Sequence, residues 1–183
     1  NYTYNQSSQF YYNEIINNFY NKIEFTNTQN TGKNKNNTPI FIIGLPRSGS
    51  TLLESILTSS DEIVKTCAES HVINMSILEQ VGPKIFTNNF DASKFIFEIN
   101  QIKLENSILQ RYNNFNVINT NSNFTFIDKS LENFFNIEII MKIFPNAKFL
   151  HTFRDPIDSI ISIYQSMLPE LSWTHKIEDI LDY

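Results

Sequence analysis

Phe41-Ile42-Ile43-Gly44-Leu45-Pro46-Arg47-Ser48-Gly49-Ser50-Thr51-Leu52-Leu53 decides the fold of this chain. The apolar opening reads as a buried strand, Gly44 to Gly49 as a tight turn, and the residues from Ser48 as the start of a helix. This order makes a phosphate cradle. Backbone N–H groups converge on an anion, and the helix N-terminus adds its partial positive charge. The spacing of Gly44 and Gly49 matches the Walker frame G-x-x-x-x-G-K-[ST], but Ser50 stands where the frame requires Lys. The cation sits inside the loop instead, at Arg47. A Walker lysine reaches the β/γ-phosphates of a triphosphate, so its absence argues against a kinase or an ATPase. An Arg fork suits a short 5′ anion.

Outward from this loop the pattern alternates in the α/β manner. The run 40–44 is continuously apolar, as a central parallel strand covered on both faces must be. A helix over 48–59 follows, with Leu52, Leu53, Ile56 and Leu57 turned inward. Then come a short strand at 63–66, a helix at 70–80 broken by Gly82-Pro83, and a long amphipathic helix at 92–112. Phe95, Ile99, Ile102, Ile108 and Leu109 form its apolar stripe. The spacing predicts a strand at 124–127, a helix at 133–143, a strand at 147–153 and a helix at 156–167 with Pro156 near its start. Strands joined by helices imply right-handed crossovers and a parallel sheet, with the ligand site at the carboxyl ends of the strands. The expected architecture is an α/β three-layer P-loop fold, a central parallel sheet flanked by helices. Residues 1–37 read as an N-terminal helix (8–23) followed by a polar linker, and 38–183 as the P-loop domain.

The bulk composition narrows the function. A chain of 183 residues supports one core without disulfides or metals. A net charge of −5 argues against a general nucleic-acid binder, so basic residues within motifs are better read as local anion sites. The single cysteine, Cys67, suits a reducing compartment such as the cytoplasm. No apolar stretch approaches the length of a membrane span, and no signal-peptide pattern opens the chain.

Three later segments complete the pattern: Phe126-Ile127-Asp128-Lys129-Ser130, then Ile143-Phe144-Pro145-Asn146-Ala147-Lys148-Phe149-Leu150, then Arg154-Asp155-Pro156 through Ser162. With the loop, they resemble the P-[KR]-S-G-[ST]-T, D-K, FPNAK and RDP…S motifs of the sulfotransferase superfamily. The resemblance is closest to the bacterial domains that follow tetratricopeptide repeats, and more distant to tyrosylprotein sulfotransferases. It covers 38–183 and implies a domain that continues past Tyr183, so the chain reads as truncated at the C-terminus.

The resemblance implies 3′-phosphoadenosine 5′-phosphosulfate as donor, no metal, and a hydroxyl or amine acceptor: a small molecule, a carbohydrate or a peptidyl tyrosine. Arg47 would grip the 5′-phosphate and the transferring group by charge-assisted hydrogen bonds. Ser48, Gly49, Ser50 and Thr51 would add backbone N–H groups and hydroxyls. Glu69 is the expected general base, because a carboxylate near Arg47 and Lys129 stays ionised and can take a proton. His71 is its competitor, since cytosolic sulfotransferases use a histidine. Lys129 would donate to the bridging oxygen as the phosphate leaves; the alternative is a salt bridge to Asp128 or another carboxylate. Arg154 and Ser162 would bind the 3′-phosphate. Asp155-Pro156 reads as a helix cap, and His151 as a packed strand residue. Two other functions stay open: a P-loop kinase or NTPase, with Asp128 as its best magnesium ligand, and a degenerate nucleotide-binding module without turnover.

Overall fold

The computed structural model describes residues 38–59, 64–81, 101–118, 125–169 and 171–183. The helix and linker expected over 1–37, the break at Gly82-Pro83 and the first part of the long helix lie outside these residues. Four strands are present among them: β1 (Ile40–Gly44), β2 (Lys65–Thr66), β3 (Phe126–Asp128) and β4 (Lys148–Thr152). They form one all-parallel sheet in the order β2-β3-β1-β4. β1 is central because it is the one strand whose every residue is apolar or glycine. Ile40 faces Ile127 on one side, and Ile40 to Gly44 face Lys148 to Thr152 on the other. Phe41 and Ile42 are wholly buried.

Parallel neighbours need crossovers, and six helices among the described residues supply them or cap the sheet: α1 (Ser50–Thr58), α2 (Val72–Val81), α3 (Gln101–Asn114), α4 (Ile137–Ile143), α5 (Pro156–Ser166) and α6 (Ile177–Asp182). The main core lies on one face of the sheet. Phe41 meets Phe126, Phe144 and Phe149 there with ring centroids 5.7 to 6.4 Å apart. Ile73 of α2, Ile108 and Tyr112 of α3, and Ile140 of α4 close over these rings. Deleting a side chain such as Phe41 costs about 3–5 kcal/mol. A smaller cluster of Ile163, Trp173 and Ile180 ties α5 to α6. None of the described helices is long and apolar enough to cross a membrane.

The fold departs from the sequence pattern in five places. α1 begins at Ser50 and not at Ser48, because Gly49 adopts a left-handed φ of 97° and cannot join the helix. Leu52 and Ile56 do not turn inward; they are 66% and 58% exposed, and Leu53 and Leu57 carry the contact. On α3 the buried stripe is Leu104, Ile108 and Tyr112 in successive turns, with Ile102 outside it. The single helix expected over 133–143 is instead a 3₁₀ segment, Leu131–Asn136, followed by α4. Its tighter turn follows from Asn133, whose N–H donates to Ser130 O (2.9 Å) and whose amide donates to Asp128 Oδ1 (3.1 Å). His151 is exposed on β4 rather than packed.

Candidate active site

The loop after β1 is held open by two glycines and one strained residue. Gly44 has φ +146°, and a Cβ there would come within 2.6 Å of both O and Oγ1 of Thr152. Only glycine lets β1 and β4 approach so closely at this point. Arg47 takes a left-handed φ of 65°, followed by Gly49 at 97°. Between them Ser48 is anchored: its hydroxyl donates to Leu45 O (2.6 Å) and shares a hydrogen bond with Thr152 Oγ1 (2.7 Å). Gly49 has no side chain to cap α1, and the first intrahelical bond runs from Leu53 N–H to Gly49 O (3.0 Å). The N–H groups of the first turn are therefore left for an anion.

Two arginines flank this cradle. The Arg47 guanidinium donates through Nε to Ser162 Oγ on α5 (3.2 Å). Arg154, just past the end of β4, donates through Nη1 to the carbonyl of Arg47 (3.4 Å) and lies 3.7 Å from Asp158. Both side chains are exposed. The cap at the start of α5 forms as the Asp-Pro pair requires: Asp155 Oδ1 accepts from the N–H of Ile157 (2.9 Å) and of Asp158 (3.3 Å), and Pro156 opens the helix.

At the ends of β2 and β3 the construction is denser. Lys129, 5% exposed, donates to Glu69 Oε1 at 2.5 Å and lies 3.8 Å from Glu54 Oε2. Its ion-pair partner is thus Glu69, with Glu54 in support, and not Asp128. Glu54 projects from α1 and accepts from Thr66 Oγ1 of β2. Asp128 is fully buried and engaged on both oxygens. Oδ1 accepts from Ser130 N–H (2.8 Å) and Asn133 Nδ2 (3.1 Å), and Oδ2 from Ser70 Oγ (2.7 Å) and Tyr112 OH (2.7 Å). Four donors on one carboxylate leave no lone pair aimed at a metal ion. Burial pushes the Cys67 thiol and the Tyr112 phenol up, and the Asp128 charge adds to both, so each stays protonated.

These elements border one cavity of about 610 Å³. Arg47, Ser48, Gly49, Ser50 and Thr51 line it from the loop, with Glu69 and Arg154 from the neighbouring strand ends. Ser162 joins through its bond to Arg47, and Lys129 stands behind Glu69. His71 and Glu132 also line the cavity and are bonded to each other through Nδ1 and Oε1. Trp173, another wall residue, stacks on Tyr183 at 4.0 Å with the rings parallel. Sequence reasoning missed Glu54, Thr152 and Glu132. A charged residue between Leu53 and Leu57, on the inner side of α1, was the available signal for Glu54. Glu132 and Thr152 reach the site only through tertiary placement.

The family model described as Sulfotransferase family matches residues 39–183. An uncharacterized protein of Aquifex aeolicus (strain VF5) is 33% identical over 135 residues, which cover 69% of this chain and 17% of that protein. The chain thus spans less than a fifth of the length of this curated relative. The family match runs from β1 through α6 and takes in every residue of the cavity wall. With the glycine-bounded loop, the parallel sheet and the two arginines inside that span, the chain belongs to the sulfotransferase family.

Proposed function

We propose that this chain transfers a sulfuryl group from 3′-phosphoadenosine 5′-phosphosulfate to a hydroxyl or amine acceptor. The observation that carries the reading is the uncapped start of α1 beside Arg47, with Arg154 one hydrogen bond away on the Arg47 carbonyl. One anion fits the cradle and a second fits the Arg154 side, which is the charge pattern of a 3′,5′-bisphosphate. In this assignment Ser48, Gly49, Ser50 and Thr51 hold the 5′-phosphate, Arg47 spans that phosphate and the transferring group, and Arg154 with Ser162 takes the 3′-phosphate.

The reaction breaks the bond from sulfur to the bridging phosphate oxygen and forms one from sulfur to the acceptor oxygen. Glu69 takes the acceptor's proton. Its contact with Lys129 couples the two events: a protonated Glu69 no longer holds the ammonium as an ion pair. Lys129, kept in place by Glu54 at 3.8 Å, then turns its freed N–H to the oxygen on which charge develops, where a positioned donor is worth most. The kinase alternative needs Asp128 as a magnesium ligand, and the four hydrogen bonds on that carboxylate disfavour it. The repeat-linked bacterial subtype and the division at 1–37 and 38–183 belong to the same proposal.

A nucleotide panel tests it. Adenosine 3′,5′-bisphosphate should raise the melting temperature more than AMP or ATP does, with no need for Mg²⁺, and the 5′-phosphosulfate donor should be consumed in the presence of a phenol. Equal or greater stabilisation by Mg-ATP overturns the reading. Bisphosphate binding without consumption of the donor would identify a binding module.

A further inference from the structure

Glu54 is the only charged residue of α1, and its side chain is just 12% exposed. It does not line the cavity. Its two oxygens meet different elements. Oε1 accepts from the Thr66 hydroxyl of β2, and Oε2 lies 3.8 Å from Lys129 Nζ, one residue past the end of β3. A carboxylate drawn this far out of water persists only where it is paired. Here the pairing runs to both strand ends that present the reacting groups, Lys129 and Glu69.

A hydroxyl has one proton to give. Thr66 gives it to Glu54, so the Thr66 oxygen is left as an acceptor, and it takes the Ala68 N–H at 3.0 Å. Ala68 has φ 49°, a left-handed conformation that is uncommon without glycine. Its carbonyl accepts from Lys129 N–H at 2.9 Å. Ala68 is thus fixed on both sides, and Glu69 follows it directly in the chain. The Glu69 side chain is 54% exposed, so packing contributes little to its place; the turn before it and the Lys129 ammonium do. Lys129, in contrast, is 5% exposed, and its close contact is the 2.5 Å bond to Glu69. Once Glu69 holds the acceptor's proton, that contact loses its ionic character. Glu54 is the other carboxylate beside the ammonium among the described residues. A buried cation left without a partner is strongly unfavourable. The contacts therefore close a ring, from Glu54 to Thr66, to Ala68 and Glu69, to Lys129, and back to Glu54.

We propose that Glu54 is a positioning residue for both reacting groups: through Thr66 it sets the turn that aims Glu69, and through Oε2 it keeps Lys129 in the site after Glu69 is protonated. Glu54 itself neither gives nor takes a proton and touches no substrate. This rests on the reading of Glu69 as the proton acceptor and of Lys129 as the donor to the leaving oxygen.

Two readouts test it. The first follows the Lys129 ammonium by ¹⁵N spectroscopy and needs no turnover, since a held ammonium exchanges its protons with water more slowly than a free one. Glu69→Gln mimics the protonated base. The ammonium resonance should persist in that variant and vanish when Glu54→Gln is added. The second is consumption of the 5′-phosphosulfate donor with phenol. Glu54→Gln keeps an acceptor for Thr66 but removes the charge beside Lys129, whereas Thr66→Val keeps the charge but releases Ala68. Each should lower kcat about 10- to 100-fold, with the donor KM and the affinity for adenosine 3′,5′-bisphosphate unchanged, and Thr66→Ser should recover the parent kcat. A resonance equally persistent with and without Glu54, an unchanged kcat in Glu54→Gln, or a donor KM that rises as kcat falls would overturn the proposal. Should Glu54→Gln not fold, the Thr66 variants decide: loss in valine with recovery in serine supports it, and equal turnover in both overturns it. Failure of the bisphosphate to bind, or of the parent protein to consume the donor, would count against the sulfotransferase reaction, and the ammonium comparison would still decide whether Glu54 holds Lys129.

Discussion

The phosphate loop at 44–51 and the turn at 128–133 border the same cavity and are stabilised by opposite means. In the loop the charged groups are exposed and their contacts long: Arg47 to Ser162 at 3.2 Å, Arg154 to Arg47 O at 3.4 Å, Arg154 to Asp158 at 3.7 Å. At the turn Asp128 and Lys129 are buried and their contacts short, with Asp128 taking four donors and Lys129 clamped on Glu69 at 2.5 Å. A cation meant for a ligand gains little from its own protein, so weak partners keep it available. A proton-transfer group gains from being fixed before the substrate arrives, because its geometry decides the barrier. On the proposed reading the two sides should fail differently: the loop side in affinity, and the turn side in turnover or fold.

The largest effect belongs to Glu69→Gln. Turnover should fall about 10²- to 10⁴-fold, since an amide cannot take the acceptor's proton, while bisphosphate affinity holds. A matched loss of bisphosphate affinity would place Glu69 on the donor side and break the comparison. Next is Asp128→Ala, which leaves Tyr112, Ser70, Asn133 and the Ser130 N–H without their shared acceptor. Each buried polar group left unpaired costs about 1–3 kcal/mol, so urea denaturation should show a loss of about 3 kcal/mol or more. A loss under about 1 kcal/mol would mean that the network is not the strut of this side. Arg154→Ala should weaken the 3′,5′-bisphosphate by about 1.5–3 kcal/mol and leave adenosine 5′-phosphosulfate, which lacks the 3′ group, almost unaffected. A uniform loss against both ligands would instead make Arg154 a support for the loop through the Arg47 carbonyl.

Local chemistry was legible in the sequence, and tertiary exchange was not. β1, its glycines and the Asp155-Pro156 cap depend on neighbours in the chain, so spacing alone exposed them. The start of α1 was misread because Ser48 spends its hydroxyl on Leu45 and on Thr152, more than a hundred residues away. The α3 stripe was shifted because Ile102 and Leu104 are equally apolar, and only packing against the sheet chooses between them. The site divides in the same way. Arg47, Lys129 and Arg154 sit in motifs, whereas Glu132 is a carboxylate in an unremarkable stretch that matters only because α2 starts opposite it.

The smallest expected effect tests whether the loop side has any built-in stiffness at all. Asp155 is exposed, and its one structural task is to cap α5, the helix that presents Ser162 to Arg47. Asp155→Ala removes the acceptor of two N–H groups at a helix start, which costs about 1 kcal/mol. Asp155→Ser restores a capping oxygen and should recover most of that stability. If α5 needs the cap to hold Ser162 in place, bisphosphate affinity will fall in the alanine variant and return in the serine variant, in step with stability. Should affinity stay constant while stability falls, Ser162 is positioned by the packing of Ile163 against Trp173 and Ile180 instead. Stiffness on the loop side would then come from the small second core and not from the helix cap.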